Sequence, residues 1–274
     1  EMAQCDWSSD VCSSDLPVSW LAIPLGVVSG VVMGALGGGG AILTIPVLIY
    51  LLHLEPHTAT TASLVIVGVS ALVSVAGQLR HGTVQVADAV LLAVVGSAGT
   101  YLGSRASAAV SPSVLVVLLA SLLAVVAALM LRHAGVQTGD GQDVPHRQWS
   151  AAHAARIAAI GVAIGALTGF FGVGGGFAIV PALTLVLHYP VRHAVGTSLL
   201  VIALNSTTAF LSRIGDGVDL DWSIVGTFTA AAVVGALVGG ALGRRTSPER
   251  LSRAFAILLL LVAAYMLVSS VLSR

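Results

Sequence analysis

Between Pro112 and Leu131 the chain reads PSVLVVLLASLLAVVAALML, twenty residues without a charged side chain. A helix of that length rises about 30 Å, the thickness of a bilayer's hydrocarbon core. Similar stretches recur along the sequence. Lipid offers no partner for an unpaired backbone amide, so each is confined to helix. Composition agrees: 57% of the 274 residues are hydrophobic and 9% charged, with mean hydropathy +0.99. A soluble domain carries roughly 25% charged residues. The expected fold class is an all-α polytopic membrane protein, with room for about eight to ten crossings.

The first sixteen residues differ from the rest. CDWSSDVCSSDL (Cys5–Leu16) is polar and holds both cysteines, and the chain starts at Glu1 rather than Met. The stretch Asp6–Leu16 resembles the in-frame translation of a widely used sequencing adapter; a short periplasmic tail is the alternative. Residues 1–16 are therefore set aside from the fold. Without them the sequence has no cysteine, and disulfide or thiol chemistry drops out.

Apolar runs between turn and charge signals predict ten segments: Pro17–Leu36, Ala41–Leu54, Thr58–Leu79, Val86–Ser104, Pro112–Leu131, Ala154–Phe171, Phe177–Leu187, Ala194–Leu211, Trp222–Gly243 and Leu251–Leu272. The second and seventh are too short for a full span and read as half-helices or broken helices. The polar stretch 134–153 reads as a linker between a first half, 17–133, and a second, 154–274.

The halves repeat. At an offset of 135, Gly26, Gly30, Gly34, Gly37, Gly39, Gly40 and Pro46 fall on Gly161, Gly165, Gly169, Gly172, Gly174, Gly175 and Pro181. His53 falls on His188, and Ser63–Leu64 on Ser198–Leu199. A five-residue insertion, giving an offset of 140, would place Gly99, Gly103 and Arg105 on Gly239, Gly243 and Arg245.

Arginine sets the orientation. If the short segments cross, nine of the twelve arginines fall on one side; if they re-enter, the split is six to six. The positive-inside rule favours ten crossings with both termini outside, hence two inverted repeats of about five segments each. Short Gly/Pro-interrupted segments at matching positions of such repeats are a secondary-transporter pattern.

A carrier for an anion needs donors without stranded charges of its own. A broken helix supplies them: its first turn leaves N–H groups unpaired, at the positive end of its dipole. The runs Gly37, Gly38, Gly39, Gly40 and Gly172, Gly174, Gly175, Gly176 precede the two short segments, where glycine lets backbone approach a ligand. Pro46 and Pro181 bend the short helices. The remaining glycines read as packing positions. Behind each short segment come ATTASL (Ala59–Leu64) and AVGTSL (Ala194–Leu199). There Thr61, Ser63, Gly196, Thr197 and Ser198 offer small hydroxyls and close backbone; the hydroxyls would either meet an oxyanion or cap the next helix. Asn205, with Ser70 at the matching position, is the most polar mid-span residue. His53 and His188 form a symmetric titratable pair that would serve proton coupling if it is more than structural. No carboxylate sits near the centre of a predicted span, and no metal, cofactor, nucleophile or P-loop pattern appears.

The glycine run leading into xxxPxL, followed by A-x-G-T-S-L and duplicated in one chain, resembles the TauE/SafE-type sulfite and organosulfonate exporters. GFFGVGGGFAIVPAL and AVGTSL fit best. TATTASL departs, with Thr61 where the family favours Gly and Ala62 where it favours Thr. The resemblance spans about Val18–Val271 and implies export of small sulfur oxyanions or sulfonates across the cytoplasmic membrane, driven by ion gradients. The expected function is a secondary transporter for a small anion, not an enzyme. Its expected partners are that anion and the bilayer, with no nucleic acid and no cofactor, and a homo-oligomer is compatible. An importer or channel, or a non-transporting scaffold subunit, is the alternative.

Overall fold

The apolar runs become helices at almost the boundaries that turn residues predict. The computed structural model describes residues 15–38, 40, 43–44, 47–48, 52, 56–107, 112–133, 151–171, 176–213 and 221–272. Among the described residues there are nine helices and no strand: α1 (Asp15–Leu36), α2 (Pro56–Leu79), α3 (Val86–Ser107), α4 (Pro112–His133), α5 (Ala151–Phe171), α6 (Gly176–Leu185), α7 (Val191–Arg213), α8 (Trp222–Arg245) and α9 (Pro248–Leu272). The predicted segment Ala41–Leu54 falls largely outside the described residues, as does most of the 134–153 linker. Helix ends follow local chemistry. Gly37, at φ +77°, donates its N–H to Met33 O at 2.8 Å and closes α1 in a left-handed turn. The Asp221 carboxylate accepts from the N–H groups of Ser223 and Ile224 and caps α8.

Five of these helices are long and apolar enough to cross a bilayer: Thr58–Leu79, Val86–Gly103, Ala154–Phe171, Val191–Leu211 and Trp222–Arg245. Val94, Leu102 and Leu261 are more than 60% exposed on the outside of the bundle. In water that surface would be costly; in lipid it is the matched one.

Packing is reciprocal between the halves. α1 lies along α8 and α5 along α3; α2 touches α8 and α7 touches α3; α2 packs on α7 and α4 on α9. The long seams are built of glycine. A Cβ on Gly30 or Gly34 would stand 2.0 Å from the carbonyl oxygens of Ala232 or Ala236, and one on Gly165 or Gly169 as close to those of Gly96 or Thr100. Nothing larger fits where backbone meets backbone, the small-residue packing of membrane helices.

These seams correct the expected register. Gly99 and Gly103 face the carbonyls of Val162 and Ala166, whereas Gly235 and Gly239 face those of Val27 and Val31. Gly99 therefore corresponds to Gly235 and Gly103 to Gly239, an offset of 136 rather than 140. Helix starts agree, since Val86 matches Trp222 and Pro112 matches Pro248. The expected alignment slipped by one helical turn because glycines at four-residue spacing match themselves when shifted by four.

Contacts also give running directions. α3 and α5 are parallel: Leu92 lies near Gly161, Gly103 near Ala166. α3 and α7 are parallel too, since Thr83 and Gln85 meet Gly196 and Thr197 while Gly96 and Thr100 share a cavity wall with Asn205. Helices α5 and α7 thus run the same way, with α6 between them in sequence. On the other side of the bundle α1 and α8 are parallel, with Val27 near Gly235 and Ala35 near Gly243. One face gathers the ends of α1, α2 and α8 and the starts of α7 and α9, as Gly34, Gln78, Gly243, Arg192 and Leu251 show by lining one cavity. Arg80, Arg192, Arg244, Arg245 and Arg250 belong to this face.

Candidate functional site

The two glycine runs meet. A Cβ on Gly176 would lie 3.3 Å from both Cα and O of Gly38, and 3.0 Å from Ile202 Cδ1 of α7. One on Gly37 would lie 2.6 Å from Ser198 Oγ and 3.4 Å from Val195 Cα. The left-handed end of α1 and the first residue of α6 are thereby held against the second turn of α7. Gly38 and Ser198 are both buried. The first-turn N–H groups of α6 begin at this junction, where Gly38 has no side chain to fend off a ligand, and Ser198 Oγ stands beside Gly37. Gly40 serves another contact: a Cβ there would lie 2.4 Å from Met33 Cβ, and its carbonyl accepts from Thr44 Oγ1 at 2.9 Å and Ser29 Oγ at 3.3 Å.

Pro181 is buried inside α6, where its missing N–H leaves the carbonyl four residues back without its helical partner. Gly39, Pro46, His53, Gly172, Gly174 and Gly175 lie outside the described residues.

The hydroxyls do not cap helices. α2 starts at Pro56 and α7 at Val191, so Thr61, Ser63, Thr197 and Ser198 stand in the second turn, too deep for a cap. Ser63 Oγ donates to Thr60 O at 2.7 Å, and Ser198 Oγ to Val195 O at 2.8 Å. These are one bond in two repeats. Thr61 is buried, and Thr197 Oγ1 accepts from Gln85 N at 3.1 Å. Gly196 leaves room for the Thr83 carbonyl, 2.9 Å from where its Cβ would stand. The GTS stretch thus docks the α2–α3 loop on α7, a role that spacing alone did not reveal.

Asn205 lines a small cavity between α3, α5, α6 and α7, with Gly96, Thr100, Gly165 and Thr168. Its counterpart Ser70 is fully buried, and its Oγ has no hydrogen-bond partner among the described residues. His188 is exposed at φ +56°, in the turn that follows α6. That turn delivers Tyr189, whose N–H donates to Leu183 O at 2.9 Å and whose hydroxyl donates to the buried Asp88 carboxylate at the start of α3. The partner of Asp88 lies 101 residues away in sequence, so no local signal announces the pair.

The chain matches the family described as "Sulfite exporter TauE/SafE" over residues 22–266. A "Probable membrane transporter protein" of Xylella fastidiosa (strain Temecula1 / ATCC 700964) is 33% identical over 250 residues, covering 90% of this chain and 94% of the relative. The "Probable membrane transporter protein YunE" of Bacillus subtilis (strain 168) is 24% identical over 271 residues, covering 92% and 98%. No solved structure matches the chain.

Proposed function

This chain belongs to the TauE/SafE sulfite exporter family of multi-pass membrane transporters, and from that premise we propose that it exports a small anion, sulfite, a sulfonate or a related sulfur oxyanion, across the cytoplasmic membrane. The anion sits where the two glycine runs meet, held by the first-turn N–H groups of α6 with Ser198 beside them. The two halves act as inverted copies and alternate the access of that site. The observation that carries this reading is the approach of Gly38 to Gly176 next to Gly37 and Ser198. A meeting point of backbone ends supplies donors without buried charge, which suits an anion that must be released again. The opposed directions of α1 and α5 support the inverted arrangement, and residues 172–190 support a crossing short segment.

The test is thermal stability of the purified protein, lacking residues 1–16, against sulfite, sulfate, thiosulfate, taurine, sulfoacetate and chloride. An anion at 100 times its Kd adds about 2.7 kcal/mol. A shift in Tm with one or two sulfur anions, lost in Gly175→Leu and reduced in Ser198→Ala, is expected. Folded protein that responds to none of them would overturn the anion site, and would leave the scaffold reading standing.

A further inference from the structure

On the arginine-rich face the helix ends enclose a cavity of about 220 Å3 that opens outward. Its polar wall is Gln78, His81, Thr83, Arg192 and Arg244, and its floor includes Val195. Val195 also packs against Gly37, so the cavity floor is one side of the glycine junction. Arg192 spends one N–H on the Thr246 carbonyl, at 3.4 Å. Among the described residues no carboxylate pairs with Arg192 or Arg244, whereas nearby Arg253 is bound to Glu249 at 2.5 Å. Two uncompensated guanidiniums at the mouth of a cavity of this size form an anion-capture site: each offers several N–H donors, fixed in a plane that matches an oxyanion's edge.

The repeat isolates this as a property of one face. At the structural register Arg192 corresponds to His57 and Arg244 to Ala108. Gln78 corresponds to Arg213, which is followed in sequence by Asp216, Asp219 and Asp221. The sequences at the two ends are thus unequal in charge although the backbone repeats. Arginine-rich faces are cytoplasmic by the positive-inside rule.

Resting on the anion-export reading, we propose that this cavity is the loading vestibule, and that Arg192 and Arg244 capture the oxyanion there before it reaches the Gly37–Ser198 junction. Such residues raise capture from one side only. They lower KM at that side and steepen its salt dependence, while the equilibrium across the membrane stays with the driving gradient. A small dianion such as sulfite is favoured over a monoanion of equal size, because two guanidiniums face it.

The experiment is transport of radiolabelled sulfite, in anaerobic buffer, into inside-out and right-side-out vesicles carrying the full chain. Arg192→Gln and Arg244→Gln should each raise KM about tenfold in inside-out vesicles with Vmax within about twofold, whereas in right-side-out vesicles KM stays and Vmax falls by the same factor, as an unchanged equilibrium requires. Arg192→Lys and Arg244→Lys should restore part of the loss, which separates lost charge from lost folding. Arg132→Gln, which removes an arginine that does not line the cavity, should change nothing. Wild-type transport with the same KM in both glutamine variants would overturn the vestibule and leave the export reading intact. Folded wild-type protein that moves no sulfite, sulfate, thiosulfate or taurine in either orientation would overturn the export reading and the vestibule with it.

Discussion

Among the described residues Asp88 is the buried carboxylate, and a hydroxyl that arrives from the far half of the chain donates to it. Tyr189 reaches it because His188 takes a left-handed turn after α6, so a strained backbone position ties α3 to the α6–α7 connection. Tyr189→Phe removes the donor and leaves a buried carboxylate short of one bond. It should lower stability by about 1–3 kcal/mol, read as a fall in Tm of the detergent-solubilised protein. Asp88→Asn, which keeps an acceptor for the hydroxyl, should cost less. The second-turn serines illustrate how residue chemistry underdetermines position. Ser63 and Ser198 were legible as small hydroxyls, but their bonds to Thr60 and Val195 depend on where each helix starts, and the two start two and three residues earlier than periodicity suggests.

At the scale of elements, the glycine seams decide the arrangement. α1 on α8 and α5 on α3 are held by backbone contact with almost no side chain between, so the seam tolerates no volume. Gly165→Val places methyl groups where the Gly96 carbonyl stands. It should cost about 1–3 kcal/mol or more and shift the protein toward aggregates in size-exclusion chromatography. By contrast Gly77 and Gly226 have open space around the added Cβ, and Gly226→Ala should leave the elution profile unchanged. A Gly-to-Ala change inside a helix lowers backbone entropy in the unfolded state, so Tm should hold or rise slightly.

For the whole molecule, the parallel course of α5 and α7 supports the ten-crossing topology over the re-entrant one. Single cysteines at Asp140 and His188, with Cys5 and Cys12 changed to serine, should then react with an impermeant maleimide from the same side of the membrane. Labelling from opposite sides would restore the re-entrant topology and its even distribution of arginines. The packing is reciprocal: each half's first helix has its longest seam on the other half, α1 along α8 and α5 along α3.

What the sequence by itself determined is the class of protein and its repeat. Apolar runs and turn residues place the helices to within a few residues, because in lipid every backbone group must be satisfied within its own segment. The paired glycine runs and Pro181 inside a short helix were legible, since each is a local property of the chain. Tertiary structure alone decided the rest. That Gly38 touches Gly176, that Thr197 holds the α2–α3 loop and that Tyr189 finds Asp88 are contacts across the two halves, and Arg192 and Arg244 share a cavity although they stand on different helices. The repeat register also belongs there, because a four-residue glycine spacing is blind to a slip of one turn, whereas a carbonyl 2.0 Å from a missing Cβ is not. Such contacts depend on how helices dock, and docking is set by shape over tens of residues rather than by the pattern within any one of them.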